Sequence, residues 1–209
     1  SQETVPSSGW KIEKVSDRKV RDEWKPLWGK RAVVEDHFNE LVIDLVNPAG
    51  QPERMQLVVR GYNDGFAFCY KIPDGKGPCV NVQSELTAYN FAGDYTAWFY
   101  NGENHNIGPE KLTETDGTRL PVMTVKAGDK HYMAIHEACL ETGAPLVLQS
   151  KGGESLFSVA SKPTSLSPGY TSAWRVVLYG TTPGVLTDSH LLESVSYTHL
   201  RAHETAANL

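Results

Sequence analysis

Met55-Gln56-Leu57-Val58-Val59-Arg60-Gly61-Tyr62-Asn63-Asp64-Gly65-Phe66-Ala67-Phe68-Cys69-Tyr70-Lys71-Ile72 is the stretch that decides the fold. Met55, Leu57 and Val59 alternate with Gln56, Val58 and Arg60. In the next run, Phe66, Phe68, Tyr70 and Ile72 fall on one side, and Ala67, Cys69 and Lys71 on the other. A period of two over such lengths marks half-buried strands. Asn63-Asp64-Gly65 separates the runs. Asp-Gly supplies the positive φ angles of a primed turn, so the two strands are expected to pair antiparallel.

The same pattern extends outward. Leu41, Ile43 and Leu45 alternate with Glu40, Val42 and Asp44. Val122–Val125 and Tyr132–Glu137 flank Ala127-Gly128-Asp129-Lys130, a second hairpin signal. Pro145–Gln149 and Trp174–Tyr179 add two more strands, and no long helical periodicity occurs through residue 186. The fold class is therefore all-β, a large antiparallel β-sandwich. Three stretches lack the pattern: residues 1–9, residues 100–121 and the Ser- and Pro-rich residues 161–172. The middle one holds Gly102, Gly108, Pro109, Gly117 and Pro121 and reads as a long loop, which in a compact sandwich is a place for function.

Composition narrows the partners. The net charge of −5 gives no reason to expect nucleic acid or an anionic membrane surface. No apolar run approaches the roughly 18–20 residues of a membrane span. The chain opens Ser1-Gln2-Glu3-Thr4, which reads as a processed or truncated start. Cys69, Cys79 and Cys139 match no zinc spacing and no disulfide framework. They read as inert thiols, with a Cys69–Cys79 bridge across a hairpin left open.

Most of the distinctive residues have structural explanations. Trp28, Trp98 and Trp174 read as core anchors rather than sugar-stacking platforms. Asn63 and Asp64 serve the turn. Glu40 and Glu137 are strand carboxylates that pair with Arg31, Arg60 or Arg175. The tail holds His199-Leu200-Arg201-Ala202-His203-Glu204, two imidazoles four residues apart. The zinc-protease pattern requires Glu directly after the first His, where Leu200 stands, and no third ligand is apparent.

Five segments in order carry a family resemblance. They are Trp28-Gly29-Lys30-Arg31 with His37-Phe38-Asn39-Glu40-Leu41, Tyr62-Asn63-Asp64-Gly65-Phe66-Ala67-Phe68, Ala97-Trp98, Ile135-His136-Glu137-Ala138 and Ser172-Ala173-Trp174-Arg175. Over roughly residues 20–194 the chain resembles the N-terminal domain of glycoside hydrolase family 97, with Cys69 where that family commonly has arginine. The resemblance implies a super-sandwich over residues 1–194, incomplete at its N-terminus. Residues 195–209, beginning Val195-Ser196-Tyr197-Thr198-His199, resemble a translated sequencing adapter and read as a non-native tail.

The resemblance also implies a function. Such enzymes hydrolyse terminal α-glycosidic bonds, and both catalytic carboxylates come from a (β/α)₈ barrel. By this resemblance the present chain is non-catalytic. Its expected partners are that barrel, a C-terminal domain of the same parent chain and an α-linked oligosaccharide at a shared pocket. Its expected cofactor is calcium, shared with the barrel, and the expected compartment is the bacterial periplasm. Within residues 100–121 the candidate calcium ligand is Glu110, with Glu103 next; Glu114 and Asp116 are the other acids there. A free-standing carbohydrate-binding module is the alternative, because a sandwich fold hosts many functions.

Overall fold

The computed structural model describes residues 9–26, 30–50, 52–76, 79–102, 106–140 and 144–196. Trp28, Glu103 and the His199–His203 pair lie outside the described residues. The strands are β1 (Lys11–Trp24), β2 (Val34–Val46), β3 (Arg54–Tyr62), β4 (Gly65–Lys71), β5 (Val80–Val82), β6 (Ala88–Asn90) and β7 (Thr96–Tyr100). They continue with β8 (Asn106–Lys111), β9 (Asp116–Lys126), β10 (Tyr132–Ala138), β11 (Leu148–Lys151), β12 (Leu156–Val159), β13 (Thr164–Leu166) and β14 (Trp174–Gly180). A 3₁₀ turn spans Leu112–Glu114, and helix α1 spans Pro183–Asp188.

Among the described residues, twelve strands form one antiparallel sheet in the order β1-β2-β3-β4-β14-β10-β9-β11-β12-β6. β7 pairs with β9, and β8 pairs with β7; β13 and β5 form a separate ribbon. The fold is all-β and sandwich-like, as the alternation indicates. Successive residues of β10 face two different cores, as a strand requires. Ala134 and Ala138 join Val58, Ala67, Cys69, Trp174, Val176 and Leu178 on one side. Ile135 joins Phe99, Met123, Val125, Leu148 and Phe157 on the other. Residues 191–196 are helical and bury Leu191, Ser194 and Val195, with Leu191 and Val195 in the first core.

The β3–β4 hairpin is present, with Tyr62 opposite Gly65. Its turn differs from the expected primed type. Among the described residues, Cys139 is the one non-glycine with positive φ, so Asn63 and Asp64 do not have it. Gly65 has φ 153°, and a Cβ there would lie 2.2 Å from the Val177 carbonyl oxygen. Glycine is needed here because β14 passes so close, and less because of the turn. On β4 the small residues Ala67 and Cys69 line the core, while Phe66 is exposed. Burial pushes the Cys69 thiol up to about 12, and Cys69, Cys79 and Cys139 are free.

The described part of residues 100–121 is not a long loop. The described part forms β8, the 3₁₀ turn and the start of β9. Gly108, Pro109 and Pro121 mislead because they sit at strand irregularities, where both residue types are tolerated. Residues 144–147 also lie outside a strand, and β11 starts only at Leu148. β1 lacks apolar alternation because most of its residues are exposed. It is an edge strand, paired with β2 along its length.

Candidate functional site on the β7–β9 ladder

Glu110 stands opposite Ala97 on β7, beside an irregularity in β8. Ala97 pairs with Glu110, but Phe99 pairs with Ile107, so Gly108 and Pro109 bulge out of register. The Glu110 side chain is 31% exposed. Its Oε2 accepts a hydrogen bond from Thr115 Oγ1 at 3.1 Å and lies 3.6 Å from Arg119 Nη2. Arg119 Nη1 donates to the Asp116 and Thr118 carbonyls, and the guanidinium lies 5.9 Å from the centre of the Phe99 ring. Thr115 is fully buried, so the Glu110 carboxylate is held from one side while Oε1 accepts no hydrogen bond among the described residues. Glu114 receives the Lys111 N–H, and Asp116 is exposed at the start of β9.

Calcium takes six to eight oxygen ligands. Among the described residues, no group of three or more His, Cys, Asp or Glu side chains is placed to hold a metal ion. The described residues therefore do not make a calcium shell by themselves, and Glu110 offers one carboxylate oxygen toward one completed from elsewhere. Arg119 is the functional neighbour that sequence reasoning missed. It lies nine residues downstream, beyond the 3₁₀ turn at Leu112–Glu114, and its side chain returns to Glu110.

The remaining strand carboxylates are committed elsewhere. Glu40 accepts from Arg18 Nε at 2.6 Å and from Arg60 Nε at 2.7 Å. Burial pushes its carboxyl up, but the hydrogen bonds from Arg18 and Arg60 outweigh this and hold it below the ordinary glutamate value. Arg175 Nη2 donates to Glu85 at 2.7 Å and Nη1 lies 3.5 Å from Glu137. Burial raises the Glu137 carboxyl, opposed by the Leu146 N–H and by Arg175. Glu40 and Glu137 thus pair with Arg60 and Arg175, as read from the sequence, whereas Arg31 donates to the Asp188 carbonyl. Asp36 is also raised, chiefly by burial, with Ser194 opposing the rise.

The tryptophans divide. Trp174 is a core residue at 5% exposure, but Trp98 is 37% exposed and does not anchor a core. The strand alternation that buries Ala97 and Phe99 turns Trp98 and Tyr100 outward.

The family model described as "Glycosyl-hydrolase 97 N-terminal" matches residues 3–197. The chain belongs to the glycosyl-hydrolase 97 N-terminal family. A Glycoside Hydrolase Family 97 enzyme from Pseudoalteromonas sp. strain K8, solved in complex with acarbose, aligns with this N-terminal domain at a TM-score of 0.77 and 24% identity. The alignment covers 88% of this chain and 30% of that one. A variant of the same enzyme in complex with panose gives the same values. A beta-arabinopyranosidase aligns at a TM-score of 0.71 and 18% identity, with 82% of this chain and 32% of that one covered. At these identities the likeness shows the fold alone. The family 97 N-terminal chain spans about a third of the length of these enzymes.

Proposed function

We propose that this domain is the non-catalytic N-terminal part of an enzyme that hydrolyses terminal α-glycosidic bonds. In this reading it packs on the catalytic barrel, forms one wall of the pocket and contributes a calcium ligand. The observation that carries the reading is the family match over residues 3–197 in a chain spanning about a third of full family 97 enzymes. The charge arrangement supports it. Glycoside hydrolysis needs two carboxyl groups free to act across one bond. Glu40, Glu85 and Glu137 are instead held by arginines.

Glu110 is the residue assigned to calcium. A bound divalent cation supplies Lewis-acid polarisation of a substrate oxygen. Thr115 and Arg119 hold Glu110 Oε2 and leave Oε1 for the ion. The test of the non-catalytic assignment is an assay of the purified chain on nitrophenyl α-glycosides with calcium present. No turnover above background is expected; turnover by the chain alone overturns the assignment.

A further inference from the structure

The strands on both sides of β7 leave register beside Trp98. On β8, two residues separate the partners of Ala97 and Phe99, which places Gly108 and Pro109 in a bulge. On β9, Trp98 pairs with Thr124 but Tyr100 pairs with Leu120, so residues 121–123 bulge as well. Bulges re-aim side chains and concentrate beside functional sites. Here each contains a proline, and the β8 bulge also contains Gly108 at φ 120°. A Cβ at Gly108 would lie 2.6 Å from the Ala97 carbonyl oxygen, 3.0 Å from Trp98 Cα and 3.0 Å from Trp98 Cδ1. The missing Cβ therefore lets the indole lie close against the β8 backbone. The result is an indole braced by backbone yet 37% exposed, two positions from a phenol ring 42% exposed.

We propose that Trp98 and Tyr100 form a sugar-stacking platform for an α-linked glucan on this domain's own surface. Two residues along a strand place the rings about 7 Å apart, within reach of neighbouring units of one oligosaccharide. The C–H face of a pyranose stacks on an aromatic ring, while its hydroxyls require polar neighbours. Thr124 stands opposite Trp98, and Asn106 stands opposite Tyr100. Paired exposed rings with a polar rim are the surface such a ligand takes, whereas an isolated exposed aromatic needs no explanation. The choice of α-glucan rests on the hydrolase reading above; the platform itself rests on the geometry of β7.

Calorimetric titration of the chain with maltoheptaose tests the proposal, with cellohexaose as the linkage control. The expected result is maltoheptaose binding that weakens at least tenfold in Trp98→Ala and in Tyr100→Ala. Trp98→Phe should retain most of the affinity, because a stacking ring remains. Circular dichroism and thermal midpoint check that each variant folds. Absence of maltoheptaose binding by the unaltered chain, or binding indifferent to both alanine variants, overturns the platform. Equal affinity for cellohexaose overturns the α-glucan assignment. These results leave the hydrolase reading to its own assay, so the two can fail separately.

Discussion

Glu40 and Arg60 face each other across β2 and β3, 2.7 Å apart, with each side chain 6% exposed. The guanidinium also lies 4.5 Å from the centre of the Phe38 ring and 4.7 Å from that of Trp174. This pair ties the edge of the sheet to the first core. Removing Arg60 leaves the buried Glu40 carboxylate with the largely exposed Arg18, and breaking such a buried pair costs about 3–5 kcal/mol, whereas replacing both with apolar residues of similar volume is often neutral. Arg60→Ala should therefore be strongly destabilising in urea unfolding. The double variant Glu40→Leu/Arg60→Met should be clearly milder. If the double variant loses as much as the single, the buried charge is not what matters.

The acid side of the stability curve should follow the same carboxylate. Glu40 is held below its ordinary value of 4.5 in the folded chain. A depressed carboxyl contributes stability that is present above its unfolded value and lost as pH falls through the folded one. Glu137 is raised, so its contribution has the opposite sign: full below the unfolded value and lost as pH rises through the folded one. Glu40→Gln should flatten the loss of stability below pH 4.5, and Glu137→Gln should remove the gain in stability that accompanies a fall in pH toward 4.5 from above. Unfolding midpoints measured from pH 3 to pH 7, chosen to span roughly the glutamate range, decide this.

The sheet was legible from period-two alternation at Leu41–Leu45, Met55–Val59 and Tyr132–Glu137, although β3 buries Val58 and Arg60, and β10 buries both Ala134 and Ile135. It was not legible in β1, whose residues are mostly exposed and so carry no alternation. It was misread in residues 100–121, where Gly108, Pro109 and Pro121 mark bulges and not a loop. Glu110 is a candidate only through the family resemblance. The Arg119 contact depends on the chain's return after the 3₁₀ turn, and the outward turn of Trp98 depends on register, which a tryptophan in an apolar run does not reveal.

Gly65 gives a test of the close approach between β4 and β14. A Cβ there would lie 2.2 Å from the Val177 carbonyl oxygen and 3.0 Å from Leu178 Cα. Both obstacles are backbone, so neither can swing aside. Gly65→Ala should destabilise by about 1–3 kcal/mol through overpacking. An unchanged denaturation midpoint would contradict the spacing between these strands.

The two tryptophans should behave differently when truncated. Trp174→Ala empties a buried site in the first core and should cost about 3–5 kcal/mol. Trp98→Ala removes a ring 37% exposed and should cost less than about 1 kcal/mol. Urea titration of both variants compares them directly. A Trp98 loss as large as that of Trp174 would return Trp98 to the core.

If Glu110 takes a cation as proposed, Arg119 should weaken the binding. Its guanidinium is 3.6 Å from Glu110 Oε2, on the side that Thr115 also occupies. A divalent ion held by the Glu110 carboxylate would be repelled by that positive charge. At about 5 Å in a water-like dielectric the repulsion is about 1–2 kcal/mol, which is about tenfold in affinity. Terbium, an oxygen-seeking stand-in for calcium, should bind the isolated chain weakly, because one carboxylate is far from a full shell. Glu110→Gln should abolish that binding, and Arg119→Ala should tighten it about tenfold. Terbium luminescence excited through the tryptophans measures all three chains. Binding unaffected by Glu110→Gln would remove Glu110 from any metal role, whereas loss on Arg119→Ala would show that the arginine positions the carboxylate more than it repels the ion.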